Sequence, residues 1–177
     1  MSANSSVTTS RLRYVIYLLL FSMTLINYFD RTVLSIAMPA LIRDFALSPV
    51  AVGYLLSAFI WSYAPCQLPA GLVLDRWGTR RTAAICISFW SAATALTAVA
   101  ANFAFLFFTR LLLGIGESPT FPLAARAIRE WAPVKERALA FSISGSGPAF
   151  GTAISAITIA WLVRKQLDGD DPLPPEN

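Results

Sequence analysis

The sequence predicts an all-α membrane protein with about five transmembrane helices. Of its 177 residues, 56% are hydrophobic and only 14% are charged, whereas about 25% of residues in soluble domains are charged. Two long stretches, residues 46–74 and 82–109, contain no Asp, Glu, Lys or Arg. Each exceeds the roughly 20 residues that a spanning helix needs. The charged segment between them, residues 75–81, therefore indicates the turn of a membrane hairpin.

The first span is predicted at residues 14–40, after a polar segment at residues 1–13. A cleaved signal peptide is the alternative, but the apolar run continues without a small-residue cleavage site, and further apolar runs follow. The remaining spans are predicted at residues 50–74, 82–100, 103–125 and 138–163.

The break between the third and fourth spans is predicted at Ala100-Ala101-Asn102. One unbroken helix over residues 82–109 would be roughly 42 Å long, whereas the hydrocarbon core of a bilayer is about 30 Å thick. Residues 164–177 are polar and rich in proline, and we expect them to form a disordered tail.

The basic residues predict the orientation, because short cytoplasmic loops are enriched in Lys and Arg. With a cytoplasmic N-terminus, the inner side would hold Arg11, Arg13, Arg76, Arg80, Arg81, Arg126, Arg129, Lys135 and Arg137. The outer side would hold only Arg43, Arg164 and Lys165. We therefore expect an integral membrane protein with its N-terminus in the cytoplasm.

Other functions find little support in the composition. The net charge of +4 comes from short clusters between apolar runs, so topology explains it better than a nucleic-acid partner does. The chain has no His, and Cys66 and Cys86 lie inside predicted spans, so neither a metal site nor a disulfide is expected. The glycine-rich segment 144–151 fits neither GxGxxG nor GxSxG, because Phe150 and Ser144 occupy glycine positions. We expect small residues there to permit close helix packing, and we expect no enzyme and no cofactor.

Four charged residues lie inside predicted spans, namely Asp30 and Arg31 in the first and Arg110 and Glu117 in the fourth. Each costs at least about 2.5 kcal/mol at the centre of a lone helix, so such residues normally face a polar cavity or one another. Arg110 and Glu117 are seven residues apart and share a helix face, whereas Asp30 and Arg31 point about 100° apart. The structural alternative is a set of ion pairs that holds the two helices in register.

A ligand pathway is favoured, because Tyr28, Tyr63 and Gln67 add polar groups at similar depths. The guanidinium groups of Arg31 and Arg110 suit an organic anion, since an arginine fork matches a carboxylate. The carboxyl groups of Asp30 and Glu117 suit a proton, because a carboxylate removed from water is less stable in its charged form. A nearby arginine opposes this effect until a substrate competes for the arginine, which would couple anion binding to protonation.

Three segments carry a resemblance to the major facilitator superfamily of transporters. The run GLVLDRWGTRR at residues 71–81 resembles the signature between the second and third helices of that superfamily. The runs NYFDR at residues 27–31 and RLLLGIGE at residues 110–117 resemble its anion:cation symporter family. Bacterial hexonate and sugar-acid symporters are the most similar type, and the resemblance covers residues 11–163.

The resemblance implies proton-coupled symport of an organic anion by alternating access, with the proton as the coupling ion. Asp30 and Glu117 would carry protons, and Arg31, Arg110, Tyr28, Tyr63 and Gln67 would contact the substrate. The gating loop would comprise Gly71, Asp75, Arg76, Gly78, Arg80 and Arg81. Within it, Gly71 would allow close helix contact and Gly78 a tight turn.

The superfamily is built from two six-helix halves with the substrate between them, and five predicted spans represent most of the first half. We therefore expect transport to require a C-terminal half. A truncated, transport-incompetent remnant or a small membrane interaction protein is the alternative that the sequence leaves open.

Overall fold

The computed structural model describes residues 12–170, which contain helices and no strand. Residues 1–11 and 171–177 lie outside the described range, and with them most of the predicted N-terminal segment and half of the predicted tail. The elements are α1 (Leu12–Asp44), α2 (Pro49–Ala98), α3 (Phe103–Glu117), α4 (Thr120–Trp131), a 3₁₀ turn (Val134–Glu136) and α5 (Arg137–Asp170). By length and composition, α1 and α2 are each apolar enough to cross a membrane.

Helix α2 consists of two helical arms that meet at Gly78. Gly78 has φ 76° and ψ 168°, and the residues on both sides of it are helical. Positive φ values are readily adopted by glycine, which lacks a Cβ atom. The prediction of a tight turn at Gly78 is therefore confirmed, and this turn is shorter than the loop expected at residues 75–81.

Contacts with α3 and α4 show that the two arms run in opposite directions. Along the first arm, residues further along α2 contact residues further along α3 and α4, so this arm is parallel to them. Along the second arm, residues further along α2 contact residues that come earlier in α3 and α4, so this arm is antiparallel. The pairs are Trp61 with Phe107, Asp75 with Arg126, Thr79 with Glu130, and Trp90 with Gly116. The arms thus correspond to the second and third predicted spans.

Helix α5 runs alongside α1 in the same direction. The hydroxyl of Thr24 donates a hydrogen bond of 2.8 Å to the carbonyl of Ser144. Gly147 and Gly151 lie against the backbone of Leu25, where an added Cβ would overlap with α1. Small residues thus permit the close approach of the two helices, as the sequence predicts for this segment.

The chain crosses five times between two ends of the bundle. One end, which we name the Gly78 end, contains the start of α1, the turn at Gly78 and the 3₁₀ turn. The opposite end, named the Asn102 end, contains the connection between α2 and α3, where the Asn102 side chain accepts a hydrogen bond from the Phe105 amide (2.9 Å). The turn predicted at residues 100–102 is therefore confirmed.

The fourth predicted span, residues 103–125, is not one continuous helix. Helix α3 ends at Glu117 and α4 begins at Thr120. Pro119 has no amide hydrogen and cannot continue the helical hydrogen bonds. The Ser118 hydroxyl donates instead to the carbonyl of Ile115 (2.8 Å). Glu117 consequently occupies the last position before a break in the helix.

Helix α5 continues beyond the fifth predicted span, residues 138–163. Helix α5 extends from Arg137 to Asp170, so residues 164–170 are helical and the expected disordered tail does not begin at residue 164. Polar residues continue a helix readily when the preceding turns already fix its direction, because each added residue then gains one hydrogen bond.

Candidate functional site

A buried ion pair links α1 to the end of α3. The Nε atom of Arg31 donates a hydrogen bond of 3.0 Å to Oε2 of Glu117, and Nη2 of Arg31 lies 2.9 Å from the same oxygen. The Glu117 side chain is completely buried, and that of Arg31 is 22% exposed. The compensating pair that the sequence suggests between the first and fourth spans is therefore present, formed by these two residues.

Three aromatic rings surround the guanidinium of Arg31. Its Cζ atom lies 4.8 Å from the ring centre of Tyr28, 4.4 Å from that of Phe59 and 4.8 Å from that of Tyr63. These distances are within the roughly 6 Å over which a cation is attracted to an aromatic face. The rings hold the guanidinium in one place while its remaining N–H groups stay available to an anion.

Asp30 faces a different neighbour from Arg31. Its Oδ2 atom accepts a hydrogen bond of 3.2 Å from the hydroxyl of Thr94 on the second arm of α2. Because consecutive helical residues point about 100° apart, Asp30 and Arg31 reach different helices, as the sequence predicts.

Arg110 is the second arginine of the site and is only 6% exposed. Together with Arg31 it lines a cavity of about 190 Å³, whose other walls come from α1 and the first arm of α2. Its Nε atom has no hydrogen-bond partner among the described residues. A buried guanidinium donor of this kind is a candidate group for binding an anion.

Gln67 is the one predicted substrate contact that the structure does not bring into this cluster. It is half-buried on the first arm of α2, one turn beyond Tyr63. The contacts described for Arg31 and Glu117 do not include it.

A second, more exposed group of charges lies at the Gly78 end. Nη1 of Arg126 donates to the carbonyl of Leu74 and to Oδ1 of Asp75, both at 2.9 Å. Its Nε atom donates to Oε1 of Glu130 (2.8 Å), whose Oε2 accepts a hydrogen bond of 2.8 Å from Thr79. The pKa of Glu130 lies below its usual value, mainly because Arg126 donates a hydrogen bond to its carboxylate. The hydrogen bond from Thr79 lowers this pKa further. We name these four side chains the Asp75 network: Asp75, Thr79, Arg126 and Glu130.

The other members of the predicted gating loop lie outside this network. Arg76, Arg80 and Arg81 are exposed, and the ion pairs of residues 12–170 do not include them. The prediction of close helix contact at Gly71 is wrong for the described residues, because an added Cβ would have no atom within 4 Å. Gly71 instead borders an open cleft of about 710 Å³. Gly114, which lies against Phe59 and Ser62, occupies the close contact with α2.

Sequence reasoning missed two participants at the site, Phe59 and Thr94, and a buried polar residue one turn from Arg31, Asn27. Asn27 is 1% exposed, and neither its amide nitrogen nor its amide oxygen has a hydrogen-bond partner among the described residues. Its position four residues before Arg31 signals the shared helix face. Phe59 and Thr94 carry no comparable signal, because only tertiary packing brings them to Arg31 and Asp30.

Five crossings around a buried ion pair and an arginine-lined cavity are typical of a polytopic helical transporter. Residues 20–167 match the Major Facilitator Superfamily, and the chain belongs to this family. The predicted all-α fold and the predicted family are therefore confirmed. The members found are transporters and not enzymes, and they are integral membrane proteins.

The similar proteins include several sugar-acid transporters. The chain is 38% identical over 156 residues to the probable galactarate/D-glucarate transporter GarP of Escherichia coli K12, covering 85% of this chain and 35% of that protein. It is 41% identical over 149 residues to the probable galactarate/D-glucarate transporter GudP of Pseudomonas putida, covering 81% and 33%. It is 36% identical over 152 residues to a D-galactonate transporter of Escherichia coli O6:H1, covering 86% and 35%. The chain thus spans about a third of the length of these curated relatives.

A solved structure supports the same fold. The inward-facing, unoccupied crystal structure of a bacterial homologue of the human lysosomal transporter Spinster matches with a TM-score of 0.79 and 29% identity. The match covers 84% of this chain and 31% of that chain.

Proposed function

We propose that this chain takes part in the proton-coupled symport of a small organic anion across the membrane by alternating access. The observation that carries the proposal is the buried Arg31–Glu117 pair beside a cavity that Arg31 and Arg110 both line. The carboxyl group of Glu117 can carry a proton, and the two guanidinium groups at the same buried site can bind an anion.

The proposed substrate is a sugar acid or a similar carboxylate. Arg31 and Arg110 would bind its carboxylate, because a guanidinium offers paired N–H donors with matching geometry. Tyr28 and Tyr63 would contact the substrate beside Arg31, and Gln67 would contact it from further along the first arm of α2. The similarity to transporters named for galactarate, D-glucarate and D-galactonate supports this chemical class.

Glu117 is the proposed coupling acid, with Asp30 as a second proton carrier. While Arg31 donates to Glu117, the carboxylate is compensated and remains charged. A substrate carboxylate that takes over the guanidinium would leave Glu117 buried and uncompensated, and proton binding would then remove its charge. Anion and proton would therefore be bound together and released together.

Alternating access in this superfamily requires two halves that rock about a central site, and we propose that a C-terminal half completes the carrier. The gating loop of Gly71, Asp75, Arg76, Gly78, Arg80 and Arg81 would brace the Gly78 end. The basic residues at this end favour a cytoplasmic location, with the N-terminus of α1 on the same side of a bacterial inner membrane. The Asp75 network supports a bracing role, because it links α2 to α4.

Uptake of radiolabelled galactarate into vesicles tests this proposal, with the chain joined to the C-terminal half of a relative such as GarP so that the carrier has both halves. An inward proton gradient is expected to drive accumulation. Glu117→Gln, which cannot carry the proton, is expected to abolish gradient-driven accumulation while retaining exchange of substrate across the membrane. Arg31→Lys, which keeps the charge but loses the planar fork, is expected to weaken substrate binding.

The matched control is Asp44→Asn, which removes an exposed acid at the opposite end of α1. It is expected to leave accumulation unchanged. Absence of uptake at every pH would contradict the proposal, as would gradient-driven accumulation that persists in Glu117→Gln.

A further inference from the structure

Arg110 is a buried arginine that no acid of the described residues holds directly. It is 6% exposed, and the ion pairs of the described residues do not include it. The two acids whose charges act on it are Asp30 and Glu117. Glu117 is held by Arg31 in the interior ion pair. Asp30 accepts a hydrogen bond of 3.2 Å from the hydroxyl of Thr94. Both acids therefore have another partner, and the guanidinium of Arg110 stays open to the cavity that it lines.

The register of the second arm of α2 places Thr94 close to the level of Arg110. Trp90 on this arm lies against Gly116 of α3, and the arm runs antiparallel to α3. Thr94 follows Trp90 by about one turn, or about 6 Å along the axis. This shift brings Thr94 to within two residues of the level of Arg110, about 3 Å. The carboxylate of Asp30, which the Thr94 hydroxyl holds, therefore lies within reach of the long Arg110 side chain.

A direct ion pair between Asp30 and Arg110 would compete with an anionic substrate. Opposite charges that are partly removed from water attract each other more strongly than charges in water do. A protein carboxylate on the guanidinium fork would use the same N–H donors that a substrate carboxylate needs. The hydrogen bond from Thr94 directs Asp30 to the second arm of α2 instead, and Asp30 forms no ion pair with a described residue.

We propose that Thr94 is a positioning residue that holds the Asp30 carboxylate away from Arg110 and thereby keeps the Arg110 guanidinium free for the carboxylate of the substrate. Thr94 acts through Asp30 and does not itself contact the substrate. Its role needs a hydroxyl donor, which serine also supplies and which valine, of similar shape, lacks. The inference rests on the proposed function, in which Arg110 binds the anion.

Equilibrium binding of radiolabelled galactarate tests the inference without requiring a proton gradient. The Kd is measured for the chain joined to the C-terminal half of GarP. Thr94→Val is expected to raise the Kd by about fivefold to tenfold, the effect of one lost hydrogen bond, and Thr94→Ser is expected to keep the Kd near that of the unmodified carrier.

A double-mutant cycle with Asp30 separates this role from a general loss of packing. When Thr94→Val is added to Asp30→Asn, the Kd is expected to equal that of Asp30→Asn alone, because a neutral amide does not compete for the guanidinium. A rise in the Kd of the same size in the Asp30→Asn background would overturn the inference.

Thr97→Val is the matched control. Thr97 lies three residues further along the same arm and is also half-buried, but its hydroxyl donates to the carbonyl of Ala93 in its own helix (2.9 Å). Its Kd is expected to be unchanged. An unchanged Kd in Thr94→Val would overturn the inference, as would an equal rise in Thr97→Val. Unweakened binding by Arg110→Gln would instead overturn the anion-binding role proposed for Arg110, on which the inference depends.

Discussion

Two ion-pair regions of this bundle use the same chemistry in different surroundings. The Arg31–Glu117 pair joins α1 to α3 with a fully buried carboxylate, whereas Asp75, the acid of the second pair with Arg126, has a side chain that is 79% exposed. A buried charge depends on its partner, because separation leaves it in a medium that solvates it poorly. An exposed charge that loses its partner is solvated by water.

The difference separates the two roles. Breaking the interior pair is expensive unless another charge takes the place of the missing partner, and this is the exchange that the proposed symport requires of substrate and proton. The Asp75 network can open and close at small cost, which suits contacts that form and separate during a conformational change. Burial, rather than the identity of the residues, distinguishes the proposed binding site from the proposed brace.

The largest effect is expected from breaking the interior pair. Glu117→Leu should lower the free energy of unfolding by about 3–5 kcal/mol, because it leaves the Arg31 guanidinium without its partner in a buried site. Arg31→Leu should cost a similar amount, since Glu117 is then the uncompensated charge. Unfolding of the purified chain in detergent micelles, followed by circular dichroism, measures both changes.

The double variant Arg31→Leu/Glu117→Leu provides the control. Replacing both members of a buried pair by apolar residues is often close to neutral, so the double variant should be more stable than either single one. If each single variant were as stable as the unmodified chain, the pair would contribute as little to stability as a solvent-exposed ion pair, and the prediction would be wrong.

An intermediate effect is expected from two glycines that lie beside the two regions. An alanine at Gly114, between Arg110 and Glu117, would place its Cβ against the side chain of Ser62 and the carbonyl of Phe59. Overpacking of this kind typically costs about 1–3 kcal/mol. An alanine at Gly71, four residues before Asp75, meets no atom within 4 Å and should stabilise the helix by about 0.5–1 kcal/mol.

The same micelle unfolding experiment compares Gly114→Ala with Gly71→Ala. Opposite signs would support the assignment of a packed interior and an open cleft. Equal destabilisation by both would show that Gly71 is also in close helix contact.

The alternation of helices along the chain could be expected from the sequence, because charges mark the ends of most apolar runs. The break at residues 100–102 was expected from helix length, and the tight turn at Gly78 from the family resemblance. Charge spacing also predicted that Asp30 and Arg31 would face different neighbours. These features depend on helix geometry and on the cost of charge in a bilayer, both of which act locally.

Other features depended on tertiary packing and were beyond the sequence. The break at Ser118 and Pro119 was missed, because proline also occurs inside continuous membrane helices, as Pro148 does in α5. Gly71 was assigned a close contact that Gly114 makes instead, since a glycine does not reveal which helix approaches it. The aromatic ring of Phe59 at Arg31 depends on the rotation of α2 about its axis, which apolar composition does not fix.

The smallest effect is expected in the Asp75 network, through the carboxyl group of Glu130. Hydrogen bonds from Arg126 and Thr79 hold the pKa of Glu130 below the ordinary glutamate value of 4.5. The stabilisation from this carboxylate is therefore complete above the pKa of the unfolded state, and it is lost as the pH falls through the lower pKa of the folded state. The free energies of unfolding of the unmodified chain and of Glu130→Gln, measured against pH, should differ by a constant amount near neutral pH. This difference should disappear as the pH falls below about 4.5.

At neutral pH, Glu130→Gln should lower the free energy of unfolding by several-fold less than Glu117→Leu does. Added salt should make this decrease smaller still, because salt screens exposed charges. Thr79→Val, which removes one of the two hydrogen bonds to Glu130, should shift the convergence toward higher pH. A salt-insensitive loss as large as that of Glu117→Leu would mean that the Asp75 network is buried in the membrane-embedded protein. The contrast between the two regions would then reflect something other than exposure to water.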